Sequence, residues 1–267
     1  MITAKFIRRV ALVTAMALPI ALVPAAQAHA SVFVSISIAP PPLPVYAQPP
    51  LPAYGYIWTP GYWAYGDAGY FWVPGVWVQP PSVGMLWTPG YWGWGGGAYA
   101  WHRGYWGRHV GFYGGVNYGF GYGGVGFFGG EWRGGGFYYN RAAANFGGVR
   151  VTNFYENRTV IVNNTYVNNH VAFNGGPGGI NRSASSQEQQ WSRENHVQPT
   201  ANQMQHREFA ARDRSQLASV NHGRPATLAV RDNASYHQVA QQHMSSQPIS
   251  SADRKAGAAY HPNERQG

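Results

Sequence analysis

Trp58-Thr-Pro-Gly-Tyr-Trp63, Trp72-Val-Pro-Gly-Val-Trp77, Trp87-Thr-Pro-Gly-Tyr-Trp92 and Trp101-His-Arg-Gly-Tyr-Trp106 are four copies of one motif, W-x-x-G-x-W. Eight of the chain's 11 tryptophans stand at motif ends, so the motif governs where this residue type falls. Copies one and three lie 29 residues apart, as do copies two and four, which makes a pair of motifs the true unit. Within each pair the inner tryptophans flank a Gly-containing break, Gly66-Asp-Ala-Gly69 or Gly95-Gly-Gly-Ala98. Short Gly-containing breaks between aromatic arms signal a β-hairpin. Folding back at those breaks sets Tyr65 against Tyr70, Trp63 against Trp72 and Trp58 against Trp77. The second unit then sets Trp94 against Tyr99, Trp92 against Trp101 and Trp87 against Trp106. Aromatic cross-strand pairs of this kind stabilise hairpins.

A second arrangement turns the chain at each Pro-Gly and closes Trp58 over Trp63. L-Pro-Gly suits a type II turn, whose twist splays hairpin strands, so that arrangement ranks lower. In the favoured register Pro60-Gly61 lies opposite Pro74-Gly75, where the missing N–H groups interrupt the ladder. Plain alternation puts the two tryptophans of a motif, five residues apart, on opposite faces, whereas a bulge at Pro-Gly returns both to one face. Eight buried rings do not offset the ordering of some 50 residues (roughly 1.5 kcal/mol each). The neighbouring Tyr, Phe and Val must therefore join the core, or a partner must cover it.

Residues 1–30 have the pattern of a secretory signal peptide. Lys5, Arg8 and Arg9 precede an apolar stretch from Val10 to Val23, and Ala26-Gln-Ala28 or Ala28-His-Ala30 offers the cleavage site. No later stretch has the length and apolarity of a transmembrane helix. The chain has no cysteine, which rules out disulfides and lipid attachment to a cysteine. Cleavage takes away three positive charges and no acid, so the formal net charge falls from +9 to +6. That excess is diffuse, not the clustered basic stripe of a nucleic-acid binder, and supports at most weak attraction to anionic envelope surfaces. Residues 31–53 read as a short strand, from the alternation of Val32, Val34, Ile36 and Ile38, followed by a Pro-rich extended spacer.

Residues 54–107 form the repeat region, and here the chain resembles the YXWGXW (WxxGxW) repeat proteins, a bacterial envelope family. Tyr56, Tyr70 and Tyr99 supply the family's tyrosine two places before the first tryptophan, and Met85 departs from it. His102-Arg103 replaces the x-Pro step in the fourth copy. The resemblance spans about a fifth of the chain and implies an exported small β repeat with no assigned reaction.

Residues 108–148 are a Gly/aromatic run, for which a flat Gly-Tyr sheet, a flexible adhesive segment and a surface ordered on assembly are the alternatives. Gly119, Gly121 and Gly124 match G-x-G-x-x-G, but in so Gly-rich a run, without strand–helix context, the match carries no dinucleotide site. Residues 149–173 are β-prone and Asn-rich, with runs at Val149–Phe154 and Thr159–Val167. Residues 174–267 are polar and expected to be mostly disordered, with a helix at 200–220 capped by Thr200. The fold expected is thus mainly β: an aromatic-rich hairpin repeat sheet, a Gly-rich low-complexity segment and a largely disordered C-terminal tail.

No catalytic constellation emerges. Only Asp67 and Glu131 carry acid between residues 31 and 148, so general acid–base pairs are nearly absent from the region expected to fold. The histidines are scattered without zinc-site spacing, and no metal or cofactor is expected. The candidate residues are the eight motif tryptophans, Trp58, Trp63, Trp72, Trp77, Trp87, Trp92, Trp101 and Trp106, as repeat core or as an aromatic surface. The leading expectation is an exported, non-catalytic structural or interaction protein of the envelope, in the periplasm, at the outer membrane or outside the cell, that self-associates or attaches to surfaces. The alternative is a module that stacks Trp63, Trp72, Trp92 and Trp101 on cell-wall glycan.

Overall fold

The computed structural model describes residues 35–158 and 170–262, all within one unit that spans 33–267. The expected signal peptide at 1–30, the first residues of the expected 31–38 strand and the Thr159–Val167 run lie outside the described residues.

Each motif pair is a long two-stranded ribbon in the expected register. In the first, Ile57–Thr59 and Tyr62–Gly66 run antiparallel to Gly75–Val78 and Gly69–Val73, with Trp58 opposite Trp77, Trp63 opposite Trp72 and Tyr65 opposite Tyr70. The second repeats this with Leu86–Thr88 and Tyr91–Gly95 against Tyr105–Gly107 and Ala98–His102. Gly96 and Gly97, at φ +60° and +85°, close the second hairpin as a two-residue turn with both central residues left-handed.

The two breaks meet face to face. Thr59 faces Val76 on one side of the break and Tyr62 faces Val73 on the other, so both arms carry the same number of residues across it. No residue is inserted as a bulge would require. Instead both arms change facing together, and Trp58, Trp63, Trp72 and Trp77 enter one core cluster. Ala64, Phe71 and Val73 form part of a second cluster.

Glycine at this step has a steric cause. A Cβ on Gly75 would stand 2.6 Å from Cζ2 of Trp58, and one on Gly104 would stand 2.6 Å from Cζ2 of Trp87. Gly61 lies under Trp72 and Gly90 under Trp101 in the same way. The first tryptophan of every motif therefore roofs the glycine of the paired motif.

The two ribbons are joined at equivalent atoms. Trp92 Nε1 donates to the Trp63 carbonyl at 2.8 Å. The Tyr122 hydroxyl donates to the Trp87 carbonyl at 2.9 Å and lies 3.3 Å from that of Trp58, its counterpart 29 residues earlier. Tyr122 belongs to the Gly-rich segment, which is neither a flat sheet nor a loose adhesive strip. It forms the hairpins Asn117–Gly119 with Tyr122–Gly123 and Gly130–Arg133 with Gly136–Asn140, and buries Tyr113, Val116, Tyr122, Phe137 and Tyr139. Dense glycine lets the chain turn tightly enough to bring these rings inward.

The Pro-rich stretch is extended as expected but is not a spacer. Its carbonyls at Pro42 and Pro49 accept from the indoles of Trp63 and Trp77, at 3.0 and 2.9 Å, while Leu43 and Leu51 enter the core. Proline carbonyls suit this task because the segment has no ladder partner of its own to satisfy.

The tail departs most from expectation, since its described residues are largely helical. Helices run at Ser186–Trp191, Ala201–Arg212, Ala218–Asn221, Asn233–Ser246 and Ser251–Ala258. The expected Thr200 cap is present and forms a capping box with Gln203; Ser185 with Glu188 and Ser250 with Asp253 form two more. Ala210, Leu217, Tyr236 and Ala240 cover Ala64, Phe71 and Val73 of the first ribbon, and Ala229–Val230 pairs in parallel with Gly75–Val76. Gly257 sits against the Ala68–Gly69 turn, where a side chain on either glycine would collide with the other backbone. Docking on a finished sheet, not an apolar stripe of their own, stabilises these polar helices.

Gly61→Ala is expected to cost on the order of 1–3 kcal/mol in urea denaturation, because both the Trp72 ring and the Gly75 backbone must shift. Gly95→Ala, with nothing within 4 Å of the new methyl, is expected to be neutral or stabilising by about 0.4–1 kcal/mol.

Candidate functional site

The motif tryptophans are core. Seven of the eight are buried, from 0% exposure for Trp72 and Trp106 to 8% for Trp87, and Trp101 alone is half-buried. The four cross-ribbon pairs, Trp58 with Trp77, Trp63 with Trp72, Trp87 with Trp106 and Trp92 with Trp101, all have ring centroids 5.3 Å apart at 56–68°. That inclined, edge-on geometry places the positive rim of one ring toward the negative face of the other.

The second tryptophan of each motif also spends its N–H internally. Trp63 and Trp77 use the Pro-rich strap, Trp92 the Trp63 carbonyl, and Trp106 the Gln203 side chain at 2.8 Å. Trp63, Trp72 and Trp92 therefore offer no face to a sugar. Trp101 has one face covered by Tyr62, stacked at 5.0 Å and 15°. A row of tryptophans open to glycan is not present in this fold.

What the second ribbon does expose is smaller. Shifting Ala64, Phe71 and Val73 by 29 residues gives Gly93, Ala100 and His102, a face the tail helices leave half-open. His102 stacks on Tyr91 at 4.4 Å, Tyr91 meets Phe112 edge-on, and the Arg182 guanidinium lies over Phe112 at 5.0 Å. Arg182 forms a two-oxygen ion pair with buried Glu188, at 2.9 and 2.7 Å. Burial alone would raise the Glu188 carboxyl, but Arg182 and Ser185 outweigh it and hold the group below the usual carboxylate range. Burial pushes the Tyr91 phenol up to about 12, with Tyr105 adding to the effect, and lowers the His102 imidazole. These groups are partnered and none is set up as a nucleophile or base.

One constellation escaped the sequence. Asp213, Ser215 and His243 come together in the tail, residue types that serve hydrolases. Their geometry is that of a helix cap. Ser215 Oγ donates to Asp213 Oδ1 at 2.7 Å, and Asp213 also accepts the Ser215 backbone N–H at 3.0 Å as cap of the short helix Arg214–Gln216. Both Asp213 and Ser215 address the same nitrogen, His243 Nδ1, at 3.1 and 3.2 Å. A relay needs the carboxylate on one ring nitrogen and the hydroxyl on the other. Here the serine proton is committed to the carboxylate. Among the described residues no group of three or more His, Asp or Glu is placed to hold a metal ion.

Tryptophan emission of the protein is therefore expected to be blue-shifted and unmoved by cell-wall fragments, and Trp92→Ala to cost about 3–5 kcal/mol of stability. A glycan-dependent shift that Trp101→Ala abolishes would contradict the closed-ring account.

No curated protein and no solved structure matches the chain. The family described as WXXGXW repeat matches in two copies, over residues 54–78 and 83–106. Each range holds one complete motif pair, and the two ranges coincide with the two ribbons save for Gly107 at the end of the second, so the chain carries two WXXGXW repeats.

Proposed function

We propose that this is an exported, non-catalytic structural or interaction protein of the bacterial cell envelope, whose aromatic repeats act as a rigid frame. The observation that carries the reading is the commitment of the motif rings to one another. Side chains kept for a ligand stay reachable, whereas seven of these eight are sealed and the second-position indoles find protein acceptors. Such a frame fixes the positions of its outer faces and loops, and attachment or self-association then runs through those and not through the tryptophans. Exposed Val45, Val83, Val125 and Phe154 stand on such outer positions. The basic n-region, apolar stretch and small-residue cleavage sites in residues 1–30 support export.

Two measurements test the reading. N-terminal sequencing of the protein recovered from the envelope fraction of a bacterial host is expected to begin at His29 or Ser31; recovery of an uncleaved chain from the cytoplasm would refute export. Sedimentation of the mature protein over a concentration series is expected to show association that survives Trp101→Ala. A strict monomer at high concentration that also ignores envelope material would leave the interaction role without support.

A further inference from the structure

The helix Ala201–Arg212 touches both repeats, and its contact with the first includes, beside Ala210, a buried histidine. His206 is 2% exposed, and its Nε2 donates to the Pro74 carbonyl at 2.8 Å, at the break where the first ribbon's arms change facing. Among the described residues no group bonds its Nδ1, which is also buried. With the Nε2 proton bound to a carbonyl, the neutral imidazole carries its lone pair on Nδ1, against the docked helices.

The surroundings offer nothing to balance a positive charge. From helix Asn233–Ser246 the ring faces Tyr236, at 4.8 Å between centroids, and His237, whose own charge would repel it. From the first ribbon it faces the Pro74 carbonyl. On its own helix, Arg207 turns to Phe71 and the Tyr65 carbonyl. Asp213, at the helix end, is bound to Ser215 and His243. His237 stacks on Phe209 at 4.0 Å and has a buried Nε2 without a protein partner.

We propose that His206 makes the helical clamp acid-labile: protonating its buried imidazole releases helix Ala201–Arg212 from the first repeat and uncovers Phe71 and Val73. Release also frees the Trp106 indole from Gln203. The proposal does not depend on export, although an exported chain meets external pH directly.

The sign follows from burial. Desolvation is the main cause that pushes His206 down to about 4; His237 adds to it and the Pro74 bond partly opposes it. The released helix binds the proton at about 6.5, the ordinary value for histidine. Docking is therefore at full strength above about 6.5 and weakens as pH falls toward 4, by about tenfold in the docked-to-released ratio per pH unit. The half-buried imidazole of His237 is lowered by desolvation as well and acts in the same direction.

The test is amide hydrogen exchange on the full mature chain at pH 7, 6 and 5, corrected for intrinsic rates, with the Tyr91–Gly95 strand as internal reference. In the wild type, protection of helix Ala201–Arg212 relative to that strand is expected to fall about tenfold per unit below pH 6.5. In His206→Gln, which keeps an N–H donor for Pro74 and cannot take up the proton, the fall is expected to shrink to the part that His237 carries. A flat ratio in the wild type, or an equal fall in the variant, would overturn the proposal. The NMR titration of the wild-type His206 ring decides independently of whether the variant folds: a midpoint below 6 supports the switch, and one at 6 or above removes it.

Discussion

The structure depends on an indole ring lying over a glycine. Each motif places its first tryptophan so that the ring edge fills the space a side chain would take on the glycine of the paired motif. This reciprocal roofing happens twice per ribbon, at the point where the prolines and the change of facing weaken the ladder. Packing of the rings compensates for the interrupted backbone pairing, and the second tryptophan closes each pair edge-on. The motif then has a physical reading: the first Trp is the roof, Gly is the space beneath it, and the last Trp is the buttress with an N–H to anchor.

Two ribbons of one design end in different surroundings. The first has its outer face sealed by the tail and an added strand at Ala229–Val230. The second gains Ser35–Ile36 on one side and Phe173–Asn174 on the other, but keeps a half-open face at Gly93, Ala100 and His102. Apolar Phe71 and Val73 require a cover, whereas their counterparts Ala100 and His102 tolerate water. Divergence at these positions, within a conserved spacing of 29 residues, gives the protein one closed and one open repeat.

The ribbon register was legible because it needs only spacing. Aromatic arms around a Gly turn fix which residues face, and every expected pair is found. The facing of the rings was not legible, since a symmetric change in both arms leaves the residue count untouched. Nor was the role of the Pro-rich strap, because a backbone carbonyl that accepts an indole N–H leaves no trace in side-chain identity. The tail helices leave little trace in the sequence because Ala, Gln, Ser and His form no apolar stripe, and those that supply Ala210, Tyr236 and Ala240 are stabilised by docking on Phe71. Its caps were the available signal: Ser185 with Glu188, Thr200 with Gln203 and Ser250 with Asp253 all have the three-residue spacing of a capping box. Of these, Thr200 alone is the expected helix start. Asp213 and His243, 30 residues apart, meet only through tertiary folding.

The most direct measurement is a double-mutant cycle between roof and floor, with Gly75→Ala made in the wild type and in Trp58→Leu and unfolding followed in urea. If the ring occupies the space over the glycine, Gly75→Ala costs the wild type about 1–3 kcal/mol more than it costs the chain without the ring, where only the Gly61 backbone nitrogen, 3.0 Å from the new methyl, still opposes it. Equal costs in both backgrounds would show that the glycine is there for another reason and would contradict the account.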